Sequence, residues 1–344
     1  MSLRGTMAID HQGHLTIGGC NTVELAQRYG TPLYVLDEAA LRQKAGEYRQ
    51  AFSHYLPGSE VIYAGKALLN MAVCRLMAEE KLALDVVSGG ELYTALAAAF
   101  PSDRIYFHGN NKSVEELALA VEHRVGRIVV DNIHELHMLQ QLAASRDIVV
   151  DILMRITPGV EAHTHSYIQT GQFDSKFGFP LGTEETREAI ACAARLPNVH
   201  LWGLHCHIGS QIFSLESFAT AAGMMIQFLA QIRDTLGIHL GELDLGGGLG
   251  IRYQENDQPP SIQEYARSLA EAVAGSCSVC SFPIPKIMVE PGRSIVGEAG
   301  TTLYAIGSIK DIPNIRRYVA IDGGMADNPR VTLYQASYQA CLAN

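Results

Sequence analysis

The chain has 344 residues, 47% of them apolar and 18% charged, with 26 basic against 36 acidic side chains and a net charge of −10. This is the composition of a globular protein with room for a large core and more than one domain, and it excludes a disordered chain. An acidic balance without a basic cluster argues against nucleic acid as a partner, while a small anion held by local backbone amides stays open.

In chain order, the first patterned segment is His14–Ile17, followed by a strand candidate at Pro32–Leu36. From Val61 onward, short branched runs alternate with amphipathic stretches. The strand candidates are Val61–Ala64, Leu82–Val87, Arg104–His108, Arg127–Asp131, Asp147–Ile156, His200–His207, Leu240–Leu245 and Lys286–Glu290. The helix candidates between them are Leu69–Glu80, Gly90–Ala99, Ser113–Ala120, Ile133–Ala144, Glu184–Leu196, Leu215–Leu236 and Ile262–Ala274. This rhythm predicts an α/β fold, a (β/α)8 TIM-like barrel. An open doubly wound sheet would need a glycine fingerprint after its first strand, and Ala64-Gly65-Lys66-Ala67 does not match G-x-G-x-x-G. After Glu298, strand-like runs return at Thr302–Ile306 and Tyr318–Asp322. The expected domains are therefore a barrel over 37–298 and an incomplete β-rich second domain assembled from 1–36 and 299–344.

A barrel should gather polar residues from the C-terminal ends of different strands at one mouth. Those ends carry Lys66, Asp85 to Ser88, His108 to Asn110, Arg155, His205 to Ser210, Gly246 to Gly248 and Glu290 to Arg293. Lys66 follows an apolar strand directly, so its amine is either a solvated charge or a nucleophile for a carbonyl group. Gly246, Gly247 and Gly248 suit either a tight turn or a phosphate nest, and Ser210 could add a hydroxyl to the same anion. Glu290 and Arg293, around Gly292, form either a salt-bridged loop or a site in which the carboxylate meets a protonated ring nitrogen and Arg293 an anion. His205 and His207 sit two apart and so on one side of a strand. A metal pair there would need a third ligand, with His108 and Asp244 as positional candidates; His207 fits better as a ring stacked on a flat cofactor, and no metal is expected.

The seven scattered cysteines suggest a reducing compartment. Cys277 and Cys280 lack a second pair nearby. Neither a membrane span nor a secretory leader is recognisable, so the expected location is cytoplasmic.

Several runs carry a family likeness: YAGKA (63–67), LDVVSGGELYTAL (84–96), RIYFHGNNKS (104–113), SKFGF (175–179), GLHCHIGSQI (203–212), LDLGGGLGI (243–251), VEPGRSIV (289–296) and DGGMADNPR (322–330). Together they resemble diaminopimelate decarboxylase within the fold-type III pyridoxal 5'-phosphate (PLP) enzymes. The resemblance implies a lyase of lysine biosynthesis that decarboxylates meso-2,6-diaminopimelate to L-lysine and CO2. It implies Lys66 as the Schiff-base lysine, His207 as the stacking ring and Glu290 as the ring-nitrogen partner. Asp85, Ser210, Gly246, Gly247, Gly248, Gly292 and Arg293 are implied as further cofactor contacts. Arg293, Arg330 and Tyr334 are implied toward the substrate, a small diamino dicarboxylic acid. The family works as a homodimer with shared active sites. Its members continue past the DNPR run with a Cys-Glu-Ser-Gly-Asp stretch and a later tyrosine that have no counterpart here. An apparently truncated chain that binds PLP without turnover is one alternative; a related PLP decarboxylase or racemase is another.

Overall fold

The computed structural model describes residues 3–160 and 175–344. Eight parallel strands form a closed barrel: β1 (Glu60–Ala64), β2 (Ala83–Val86), β3 (Ile105–Phe107), β4 (Arg127–Val130), β5 (Val150–Thr157), β6 (Val199–His205), β7 (Glu242–Asp244) and β8 (Lys286–Val289). Each pairs with the next in sequence, and β8 pairs with β1 through Met288↔Glu60 and Val289↔Val61 to close the ring. Phe179–Pro180 adds a short parallel pairing to the end of β5.

The predicted strands are all present, with adjusted ends. β5 starts at Val150 because Asp147, at φ 51°, completes a turn. β6 stops at His205, so the alternation argument reaches His205 but not His207. Helices Met71–Glu79, Gly89–Ala97, Val114–Glu122, Ile133–Ala144, Glu184–Ala193, Leu215–Leu236 and Ile262–Val279 connect the strands. Each begins at a side-chain cap: Asn70, Ser88, Ser113, Asn132, Thr183, Ser214 and Ser261. These caps satisfy orphan amides at about 1 kcal/mol each and end every strand-to-helix loop at a defined residue.

Side chains inside the barrel lie in layers two residues apart, as strand alternation requires. The middle layer is a buried cluster of Ile62, Ala83, Tyr106, Val129, Leu153 and Met288. Two residues earlier, toward the strand starts, an ionic layer is tied together: Lys286 Nζ to Glu60 at 2.5 Å, Arg127 to Glu242 at 2.8 and 2.9 Å, and Arg127 to Asp151 at 3.3 Å. Two residues later come Asp85, His108, Asp131, Arg155 and Glu290, all buried. The apolar layer therefore separates two polar ends, and buried histidines belong to the upper one.

The chain divides into two compact units. The barrel unit comprises Ala45–Gly250 and Pro259–Ser294; the other is built from the stretch ending at Lys44, Ile251–Gln258 and Ile295–Asn344. In the second unit, Leu33–Leu36 pairs antiparallel with Gly300–Leu303, so strands from both chain ends share one sheet. The predicted run Thr302–Ile306 is in fact split between Gly300–Leu303 and a longer strand, Ile306–Ile312, which forms a hairpin with Arg316–Ile321. Almost every residue of that hairpin is exposed, including Ile306, Ile309, Tyr318, Val319 and Ile321. These small sheets constitute an incomplete second domain. Among the described residues, no helix is long and apolar enough to cross a membrane.

Candidate active site

Lys66 sits in a single helical turn, Gly65–Ala67, directly after β1. Its Nζ lies 3.4 Å from Asp85 Oδ2 on β2. The side chain is ringed by protein atoms yet leaves 43% of its surface exposed, so the amine is reachable. Burial pulls its pKa down, but Asp85 and Glu290 outweigh that and hold it above the usual lysine value. Asp85 is fully buried, and burial pushes its carboxyl up against the opposing pull of His108 and Lys66.

From Asp85 the polar layer continues across the barrel. His108 Nε2 is 3.8 Å from Asp85 Oδ1 and 2.8 Å from Glu290 Oε1, and His205 Nε2 is 3.5 Å from Glu290 Oε2. The His108–Glu290 approach is close, but neither atom makes an aligned hydrogen bond among the described residues. Burial would raise the Glu290 carboxyl, and His108 and His205 overcome it, leaving the group well below the carboxylate range. Glu290 is thus a buried anion with unpartnered oxygens. His108, His205, Asp244 and Glu290 place ligand atoms within 4.8 Å of one another, a spacing a metal ion could use. Their imidazoles and carboxylates also complement each other directly, which suits a hydrogen-bonding cluster.

His207, just beyond β6, has its pKa pushed well down by burial and by the nearby Lys66 and Arg155 charges. The Gly247 amide donates to its Nδ1 at 3.3 Å, so that nitrogen accepts. A neutral imidazole held edge-on by backbone is suited to lie flat against a ring. The loops after β6 and β7 are zipped together: Ile212 N–H donates to Gly248 O, and Gly250 N–H to Ile212 O, each at 2.9 Å. Gly246 and Gly248 have φ of 66° and 121°. At Gly247 any Cβ would fall 1.9 Å from Glu290 O. This close approach is why the run is glycine, and it fixes the nest beside Glu290. Arg293 donates to Ser210 Oγ from Nε at 3.2 Å and from Nη2 at 3.0 Å, adding a guanidinium and a hydroxyl at the same loops. Gly292 packs tightly on β1, where a Cβ would meet those of Ala64 and Ala67 at 3.0 Å.

A buried anion, a neutral flat imidazole, a reachable lysine and a glycine nest beside a guanidinium fit pyridoxal phosphate. Lys66, Asp85, His207, Ser210, Gly246 to Gly248, Glu290, Gly292 and Arg293 all fall within the barrel unit. Arg330 and Tyr334 fall in the other unit. There Arg330 Nη1 donates to Tyr253 Oη at 2.8 Å, and its guanidinium lies over the Tyr253 and Tyr334 rings at 4.8 and 6.0 Å.

Sequence reasoning assigned no role to Arg155, named Asp131 only as a strand end and did not name Tyr253. Asp131 binds Gly178 N–H at 3.0 Å, and the Arg155 guanidinium lies 4.2 Å over Phe177. The signal for Asp131 and Arg155 was available: each lies two residues beyond an apolar barrel residue, Val129 and Leu153. Nothing in the sequence pointed to Tyr253. A cleft lined by Asp103, Arg124, Arg127 and Asp151 lies at the opposite end of the barrel, away from these groups.

Comparison with known proteins agrees with this geometry. The pyridoxal-dependent decarboxylase, pyridoxal binding domain family matches residues 39–297. Diaminopimelate decarboxylase of Bacillus subtilis (strain 168) is 52% identical over the whole chain, which covers 78% of that relative. The Bacillus methanolicus enzyme of the same name is 50% identical, with 80% of it covered. Among solved structures, diaminopimelate decarboxylase from M. jannaschii in complex with L-lysine superposes with a TM-score of 0.88 at 34% identity, over 98% of this chain and 77% of that one. The Helicobacter pylori enzyme with L-lysine gives 0.84 at 34%, over 93% and 77%. The chain belongs to the diaminopimelate decarboxylase family of fold-type III pyridoxal-dependent decarboxylases.

Proposed function

We propose that this chain is a PLP-dependent decarboxylase that converts meso-2,6-diaminopimelate to L-lysine and CO2. The observation that supports it best is the continuous polar layer joining Lys66, Asp85, His108 and Glu290 across the barrel mouth. It places a reactive amine at one end and a buried anion at the other.

When bound, PLP supplies an electron sink conjugated to the substrate's amino carbon. Lys66 Nζ would hold the cofactor's carbonyl carbon, with Asp85 Oδ2 orienting the amine from 3.4 Å, and would be placed to move protons there. Glu290 would hold the proton on the ring nitrogen and so deepen the sink. His207 would cover one ring face and exclude water there. Ser210, Arg293 and the Gly246–Gly248 amides would take the phosphate. Arg330, steadied by Tyr253 and Tyr334, takes the far carboxylate, which separates diaminopimelate from lysine or ornithine.

The same proposal includes the division into a cofactor-binding barrel (37–298) and a second domain (1–36 and 299–344), a homodimer, no nucleic-acid partner and a cytoplasmic location. All seven cysteines are unpaired, which suits a reducing compartment. The test is turnover of meso-diaminopimelate by the purified chain with and without PLP, following CO2 and both lysine enantiomers. PLP-dependent CO2 release with L-lysine is expected. Inversion without carbon loss, or no turnover with PLP bound, would overturn the reading. Light scattering that gave a single-copy mass would refute the dimer.

A further inference from the structure

Both Glu290 oxygens are approached from within the barrel by imidazoles on different strands. His108 follows β3 and His205 ends β6; they are 3% and 1% exposed. Their rings meet edge to face, with centroids 4.8 Å apart at 70°, so each braces the other. His108 Nε2 lies 2.8 Å from Oε1 and His205 Nε2 3.5 Å from Oε2. Asp244 on β7 completes the group, its Oδ1 taking the Gly246 N–H at 2.9 Å while Oδ2 is buried without a partner.

A carboxylate at this depth ordinarily takes up a proton. Burial pushes His205 down to about 3, so it is a neutral ring that can offer only an N–H dipole. Burial and then Glu290 push the Asp244 carboxyl well up, opposite in direction to Glu290. A barrel that needed only filling here would use mainly apolar side chains, as it does one layer below.

We propose that His108 and His205 are positioning residues, a bracket that holds the Glu290 carboxylate in the orientation required by a protonated ring nitrogen. This rests on the reading of Glu290 as the ring-nitrogen partner. Glutamine at either histidine keeps an N–H donor; leucine removes it.

The experiment loads the full chain with PLP labelled with 15N in the ring and reads the ring-nitrogen NMR shift together with the cofactor dissociation constant. In His108→Leu and His205→Leu, the ring nitrogen should move toward its neutral shift and cofactor binding should weaken about tenfold, the cost of withdrawing a facing N–H dipole from a buried carboxylate. His108→Gln and His205→Gln should keep most of the wild-type signal. If a leucine variant does not fold, asparagine at the same position, which draws the donor back, carries the same expectation. Leucine or asparagine variants with a wild-type ring-nitrogen shift would overturn the bracket. Glu290→Gln separates the two readings. If it leaves the shift unmoved, the assignment of Glu290 fails. If it moves the shift while the histidine variants do not, only the bracket fails.

Discussion

His108 Nε2 lies 2.8 Å from Glu290 Oε1, joining the C-terminal ends of the third and eighth barrel strands. Each is two residues beyond a member of the apolar layer, Tyr106 and Met288. The active layer is therefore the next turn of the same alternation that builds the core.

Lys66→Ala should abolish the borohydride-reducible cofactor adduct and lower kcat by roughly 10³-fold, the scale of a lost nucleophile and proton-transfer group. Mass spectrometry after reduction, alongside CO2 assay, checks both. A persistent adduct would move the attachment elsewhere.

Arg330→Ala should weaken diaminopimelate by about 2–5 kcal/mol, as expected for one partner of a charged contact. The preference for diaminopimelate over lysine as substrate should collapse with it. Tyr253→Phe should show a smaller loss, because it removes only the hydrogen bond to Arg330. Steady-state kinetics on both substrates decides this, and an unchanged preference would remove Arg330 from the substrate site.

Gly247→Ala should cost about 1–3 kcal/mol of stability and weaken cofactor binding, since its methyl meets Glu290 O at 1.9 Å and something must shift. Gly275→Ala, inside the Ile262–Val279 helix where a Cβ meets nothing within 4 Å, is the control and should stabilise by about 0.5–1 kcal/mol. Guanidinium melts and PLP titration measure the difference.

Stability should fall with acid partly through His205. Burial holds its folded pKa at about 3, below the usual histidine value of 6.5. The unfolded chain therefore binds the proton first as pH drops. The contribution is complete above the unfolded value and is lost as pH falls toward the folded one, on the order of a few kcal/mol. His205→Gln should lose less stability than wild type between neutral and mildly acidic pH. Equal losses would show that His205 is not buried neutral.

Lys112 is nearly fully buried and donates to Glu135 Oε1 at 2.6 Å, Val129 O at 2.7 Å and Gly109 O at 2.9 Å. Lys112→Met should destabilise by about 3–5 kcal/mol because it strands Glu135, whereas adding Glu135→Leu should restore much of the loss. Denaturant midpoints of the single and double variants test it.

The order of eight strands, the apolar periodicity and the runs around Lys66, His207, the glycines and Glu290 were legible in the sequence, because each depends on local pattern or on a motif read as a unit. Strand ends were less so: β6 stops before His207, and a single run near residue 302 divides into two strands. Tertiary structure alone decided that His108 and His205 both face Glu290, that Asp85 stands between Lys66 and His108, and that Tyr253 holds Arg330. Alternation tells which side of a strand a residue occupies, but only closure of the barrel sets which strands meet across its interior. Distances between groups remote in sequence, and hence which charges neutralise one another, follow from that closure.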